Sequence, residues 1–158
     1  MATQGGGGTF TIVCEGSQET SRLVGEGKYD WVNPVITDER FPSQKHAPLD
    51  RTIELFEFDH DPSDDEVLKE LKRRELERPT YEDALYFGIK HPDEQRKRPI
   101  VFLHEPVRGP HGNLSVLVLH GSAGHRNLSL DWFGYGWGRD GVFAGVRKVP
   151  QGIKGGQG

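Results

Sequence analysis

At 158 residues with 34% apolar side chains, the chain is long enough for one domain with one core, and no stretch approaches the ~18 apolar residues of a membrane span. Its net charge of −4, with both signs mixed along the chain, argues against the basic face that nucleic-acid binding requires. A single cysteine, Cys14, excludes an intrachain disulfide.

The start, Met1-Ala2-Thr3-Gln4, lacks the charged and apolar regions of a secretory signal, so the expected compartment is the cytoplasm. Gly5–Gly8 and the glycine-rich end 151–158 carry no apolar periodicity. They predict flexible tails over 1–8 and 150–158 around a single α+β domain spanning 9–149.

Within that domain, Phe10–Cys14 reads as a first strand with Cys14 buried, because threonines alternate with apolar residues. Ser21–Gly25 predicts one helical turn, and Tyr29, Trp31 and Val32 are expected to pack. Residues 43–50 read as an exposed loop. Thr52–Phe58 places Ile53 and Leu55 on one side and Phe56 and Phe58 on the other, which predicts a strand buried on both faces. Ser63-Asp64-Asp65-Glu66 is a capping box opening a helix with the apolar stripe Val67, Leu68, Leu71. Thr80-Tyr81-Glu82-Asp83 opens a second helix in the same way, and a third helical turn is expected from His91-Pro92.

From Pro99 the period shortens. Ile100–Leu103, Leu114–His120, Leu128–Phe133 and Val142–Lys148 read as strands with short connections, which predicts a C-terminal antiparallel meander. Its last connection, Gly134–Gly141, is a glycine-rich hairpin tip bearing aromatic residues.

Val116–His125 has the look of a hydrolase strand and oxyanion loop, but no G-x-S-x-G nucleophile elbow exists anywhere in the chain. No histidine pair has the i, i+4 helical spacing of a zincin. His104 and His120 are placed to meet across the first hairpin, as turn or edge residues. Asp59-His60-Asp61 with Asp64 and Asp65 lacks the glycine and terminal glutamate of an EF-hand, so these acids read as strand exit and helix cap. The Lys69/Lys72/Arg73/Arg74 cluster is interleaved with glutamates and reads as a solvated helix face.

Several segments together carry a resemblance. They are Gly27–Asn33, Ile36-Thr37, Phe41-Pro42, Arg78–Leu85, His91–Arg96, Pro99–Val101, Leu128–Phe133 and Val142–Lys148. The combination resembles a family of short proteins common in candidate-phyla bacterial genomes, and it brings no activity with it. The helix announced by Arg78-Pro79-Thr80, followed by a meander ending in Phe143-Ala144-Gly145-Val146-Arg147, is similar to C-type-lectin-like domains. The branch concerned holds the formylglycine-generating enzymes and the variable proteins of diversity-generating retroelements. That similarity implies a C-type-lectin-like α+β fold, with two or three helices on a mainly antiparallel sheet. It also implies a ligand face at Asn127, Ser129, Asp131, Phe133, Tyr135, Trp137 and Arg139. The cysteine pair of the formylglycine enzymes is absent, so oxidase activity is not implied.

The expectation is therefore a non-enzymatic module that binds a protein or small ligand through its tip. Trp132 or Phe133 would be buried and Tyr135, Trp137 and Arg139 exposed. No cofactor, metal, nucleic acid or membrane is expected. Two alternatives stand beside it. One is a small hydrolase or metal-dependent enzyme using His104, His120, His125 and Asp131. The other is an interaction protein acting through the charged helix 63–76.

Overall fold

The computed structural model describes residues 2–3 and 8–148, the first pair by backbone alone. The expected tails fall mostly outside the described residues. Ala2–Thr3, however, forms a two-residue strand β1 against Phe58 and Glu57. The described residues fold as an α+β protein with ten strands in an open mixed sheet and four helices.

Strand β2 (Thr9–Cys14) pairs antiparallel with β4 (Leu49–Phe58) along its whole length, Thr9 facing Glu54 and Cys14 facing Leu49. This ladder extends β4 three residues ahead of the predicted start, into what reads locally as loop. Side chains then divide by the two-residue period of a strand. Ile53 and Leu55 of β4 face a core shared with Leu23 of helix α1 (Thr20–Glu26) and Leu85 and Phe87 of helix α3 (Tyr81–Lys90). Phe56 and Phe58 face the opposite core, with Val67 and Leu71 of helix α2 (Asp64–Arg73). Each such buried side chain stabilises the fold by roughly 1.5–3 kcal/mol.

Both predicted capping boxes form. The Ser63 hydroxyl accepts from the Glu66 amide at 3.2 Å while Glu66 accepts from the Ser63 amide at 3.0 Å. Thr80 and Asp83 do the same at 3.1 and 2.8 Å. Asp64, Asp65 and Glu66 in the first turn of α2, with Lys72 and Arg73 in its last, complement the helix dipole. Helix α4 (Glu94–Lys97) begins after Asp93, later than the Pro92 start expected from sequence.

The C-terminal strands depart from the predicted meander. Strand β8 (Leu114–Ser122) and strand β9 (His125–Trp132) do form a hairpin, Ser122 opposite His125. Strand β6 (Ile100–Val101) pairs antiparallel with β8, and β7 (Val107–Arg108) adds to it. Strand β10 (Val142–Arg147) does not return beside β9. It inserts between β4 and β6, antiparallel to β4 and parallel to β6, while β5 (Leu76–Glu77) also pairs with it. Composition explains the difference. Val142–Val146 is apolar and buried on both faces, which demands a central position. The outer half of β9 alternates polar and apolar and suits an edge. Gly145 permits close packing there, since a Cβ would lie 2.6 Å from Leu71 and 2.7 Å from Leu76. Among the described residues, the edge beyond β9 carries only β3 (Trp31–Val32), parallel to Asn127 and Leu128. Trp31 is half exposed rather than packed.

Arg126 lies within the predicted turn after β8, yet only 4% of its surface is exposed. Its guanidinium donates to the carbonyls of Pro92, Gly27 and Gly88 at 2.9, 2.6 and 2.8 Å and to Gln95 Oε1 at 3.0 Å. It sits 4.6 Å over the Tyr29 ring. One side chain thus ties α1, α3 and α4 to the hairpin.

Candidate binding surface at the glycine-rich tip

Because two strands, β6 and β8, separate β10 from β9, residues 133–141 must carry the chain across the α2 face of the sheet. The predicted hairpin tip is therefore a crossover, and it is fastened where it crosses. Asp64 accepts from the Gly134 amide at 2.6 Å and from Trp137 Nε1 at 2.7 Å. The Trp137 amide donates to the Pro62 carbonyl at 2.9 Å. Asp61 accepts from the Arg139 amide and Nε at 3.0 and 3.1 Å, and Arg139 Nη1 reaches the Asp59 carbonyl at 3.3 Å. Gly134 and Gly136 adopt φ of 102° and 81°, which only glycine takes without strain. The acidic run Asp59–Asp65, read from sequence as strand exit and cap, also anchors the tip.

This anchoring corrects the predicted exposure of the aromatic residues. Trp137, expected in solvent, is 9% exposed and packs edge-on to Phe143 at 6.3 Å. Its indole N–H has a carboxylate partner on α2, so burial leaves no donor unmatched. Phe133 is partly buried against the same core. Trp132 and Tyr135 are the exposed rings, at 52% and 77%, with centroids 5.5 Å apart and planes tilted by 48°.

Along β9, Asn127, Ser129 and Asp131 stand opposite His120, Val118 and Val116, and directly opposed residues share one face. That face is the one α2 covers elsewhere. Of the seven residues expected at the ligand face, Asp131, Tyr135 and Trp137 meet in one groove of about 340 Å³, with Leu130 and Trp132. Asn127, Ser129, Phe133 and Arg139 lie outside it. Asp131 is exposed overall, yet local desolvation of its carboxyl raises it above the usual range, and the field of His120 opposes that rise.

The histidines of the alternative enzyme reading are dispersed. His104 is buried. Its Nε2 accepts from the Leu117 amide at 3.0 Å and its Nδ1 donates to the Glu105 carbonyl at 2.7 Å. Burial holds it at a pKa of about 4, so it is neutral at pH 7. It bonds to the β8 backbone rather than meeting His120. His125 bonds Ser122 within its own turn at 3.0 Å. Among the described residues, no three His, Cys, Asp or Glu side chains gather as a metal site would require, and no helix is long and apolar enough to cross a membrane.

A second concavity of about 290 Å³ has no counterpart in the sequence reading. Asp83, fully buried, receives Arg51 at 3.0 and 2.8 Å and the Cys14 thiol at 3.4 Å. His46 approaches Glu82 at 2.8 Å through Nε2 and the Ala47 carbonyl at 2.6 Å through Nδ1. Both partners are acceptors, so the imidazole holds both bonds only when protonated, and its pKa is raised, first by the Ala47 carbonyl and then by Glu82. Burial, followed by the charges of Asp83 and Glu82, pushes the Cys14 thiol far above its ordinary value, which suppresses thiolate chemistry. These pairs link residues 32 to 69 positions apart, a distance at which sequence gives no signal of contact. No family model, curated protein or solved structure matches this chain.

Proposed function

We propose that the protein is a non-enzymatic binding module whose contact surface is the 130–138 region of the tip. The observation that carries this reading is the adjacent pair Trp132 and Tyr135, both largely in solvent on a segment held by Asp61 and Asp64. Two exposed aromatic rings on a fixed scaffold supply contact area at little entropic cost. On the expected likeness to C-type-lectin-like ligand faces, the row Asn127, Ser129, Asp131 on one face of β9 would extend this surface. Cys14, buried and the only cysteine, supports a reducing, cytoplasmic setting.

The test is a titration with a library of small aromatic, polar and charged fragments, followed by amide NMR. Shifts clustered at residues 130–138 and lost in Trp132→Ala/Tyr135→Ala are the expected result. Fragments that gather instead in the cavity lined by His46, Arg51 and Glu82, with the tip unperturbed, would overturn the reading.

A further inference from the structure

We infer that the groove beside Trp132 and Tyr135 takes a methylated alkylammonium group, an assignment that rests on the binding role proposed for the tip and names its ligand class. Three features of the groove select that chemistry. The first is aromatic. The Trp132 and Tyr135 rings lie 5.5 Å apart, tilted by 48° and largely in solvent, and the Trp137 indole lines the same groove with its N–H already committed to Asp64. Aromatic faces are negative and attract a cation placed over them.

The second feature is charge. Asp131 is the one charged residue lining the groove. Among the described residues its carboxylate has no hydrogen bond or ion pair, His120 being the titratable group that influences it. Arg139, the cation that follows the groove residues in sequence, is turned to Asp61 and the Asp59 carbonyl and does not line the groove, and Arg126 is buried among backbone carbonyls. An exposed carboxylate without a counterion attracts a cation, whereas an anion would meet repulsion there.

The third feature is the scarcity of charged acceptors. A primary ammonium carries three N–H donors and holds its water tightly, so laying it on ring faces in this open groove exchanges hydration for no hydrogen bond. Asp131 offers the only carboxylate among the lining residues, beside Leu130, two glycines and three rings. Methyl groups in place of the N–H donors rest on ring faces and keep the positive charge. The groove is therefore better matched to a trimethylammonium head than to lysine.

The experiment compares choline with its neutral isostere 3,3-dimethylbutanol, and a short peptide bearing trimethyl-lysine with the same peptide unmodified, by amide NMR titration of the full chain. Expected is binding of choline, of the trimethyl-lysine peptide, or of both, about tenfold tighter than the matching control, with shifts at 130–138. Choline alone would identify a free quaternary amine as the source, and the peptide alone a modified lysine. Asp131→Asn should weaken binding several-fold and Trp132→Ala should abolish it, with thermal melts of both variants showing that each remains folded. Equal affinity for choline and 3,3-dimethylbutanol would overturn the assignment, leaving an apolar surface. If neither cation binds while other fragments still perturb 130–138, the cation class fails and the binding role stands. If nothing perturbs 130–138, both fail.

Discussion

Trp137→Phe tests the clip that fixes the tip. The substitution removes the indole N–H that donates to Asp64 at 2.7 Å and keeps an aromatic ring against Phe143. A hydrogen bond to a charged acceptor contributes about 1.5–3 kcal/mol. Asp64 is only half-buried and keeps its bond to the Gly134 amide, so water replaces part of the loss and the lower end applies. The smaller ring leaves a void, adding about 1 kcal/mol. The expected destabilisation is about 2–3 kcal/mol, read from urea unfolding. Asp64→Ala in the same background should be non-additive with it by about 1 kcal/mol, because both changes remove one bond. Amide exchange at 134–138 should accelerate in each variant. A loss below about 0.5 kcal/mol with unchanged exchange at the tip would refute the claim that Asp64 holds it.

Two further outcomes follow from buried polar groups. Arg126→Met should cost about 3–5 kcal/mol in urea unfolding, since it strips partners from three carbonyls and the Gln95 amide oxygen; a cost under about 1 kcal/mol would show that water replaces the guanidinium. His104, depressed to about 4 from an ordinary 6.5, binds its proton more readily when unfolded. Its contribution is complete above pH 6.5 and is lost as pH falls toward 4, on the order of 3 kcal/mol in all. Stability measured between pH 7 and 5 should therefore fall less steeply in His104→Gln than in the wild type, and equal slopes would refute this. His46, raised by the Ala47 carbonyl and Glu82, and His60, raised by Asp59 and Glu66, contribute with the opposite sign and are common to both proteins.

Features decided within a few residues were legible in the sequence. The two capping boxes depend on groups three positions apart, and the two-sided burial of β4 on strict alternation of Ile53, Leu55, Phe56 and Phe58. Features decided by distant partners were not. Nothing in Val142–Arg147 announces that its neighbours are Ile100 and Phe56 rather than β9, although the unbroken apolar run already suited a central strand. Trp137 and Trp132 look alike in a glycine-rich string, and only Asp64, 73 residues away, decides which is buried. Arg126 hid more completely, because its partners are mainly backbone carbonyls, which every residue possesses.

The placement of β10 also bears on how the molecule is made. Among the described residues, strand β4 and strand β6 do not pair with each other, and β10 is the rung that joins them. Until residues 142–147 leave the ribosome, the nascent chain holds two unjoined half-sheets, each with an open edge that β10 will later occupy. A premature stop before Val142 would thus divide the architecture rather than trim it, because the residues that pair with β6 are Val142 and Phe143, and newly made chains would depend on rapid capture of those edges to avoid pairing with one another.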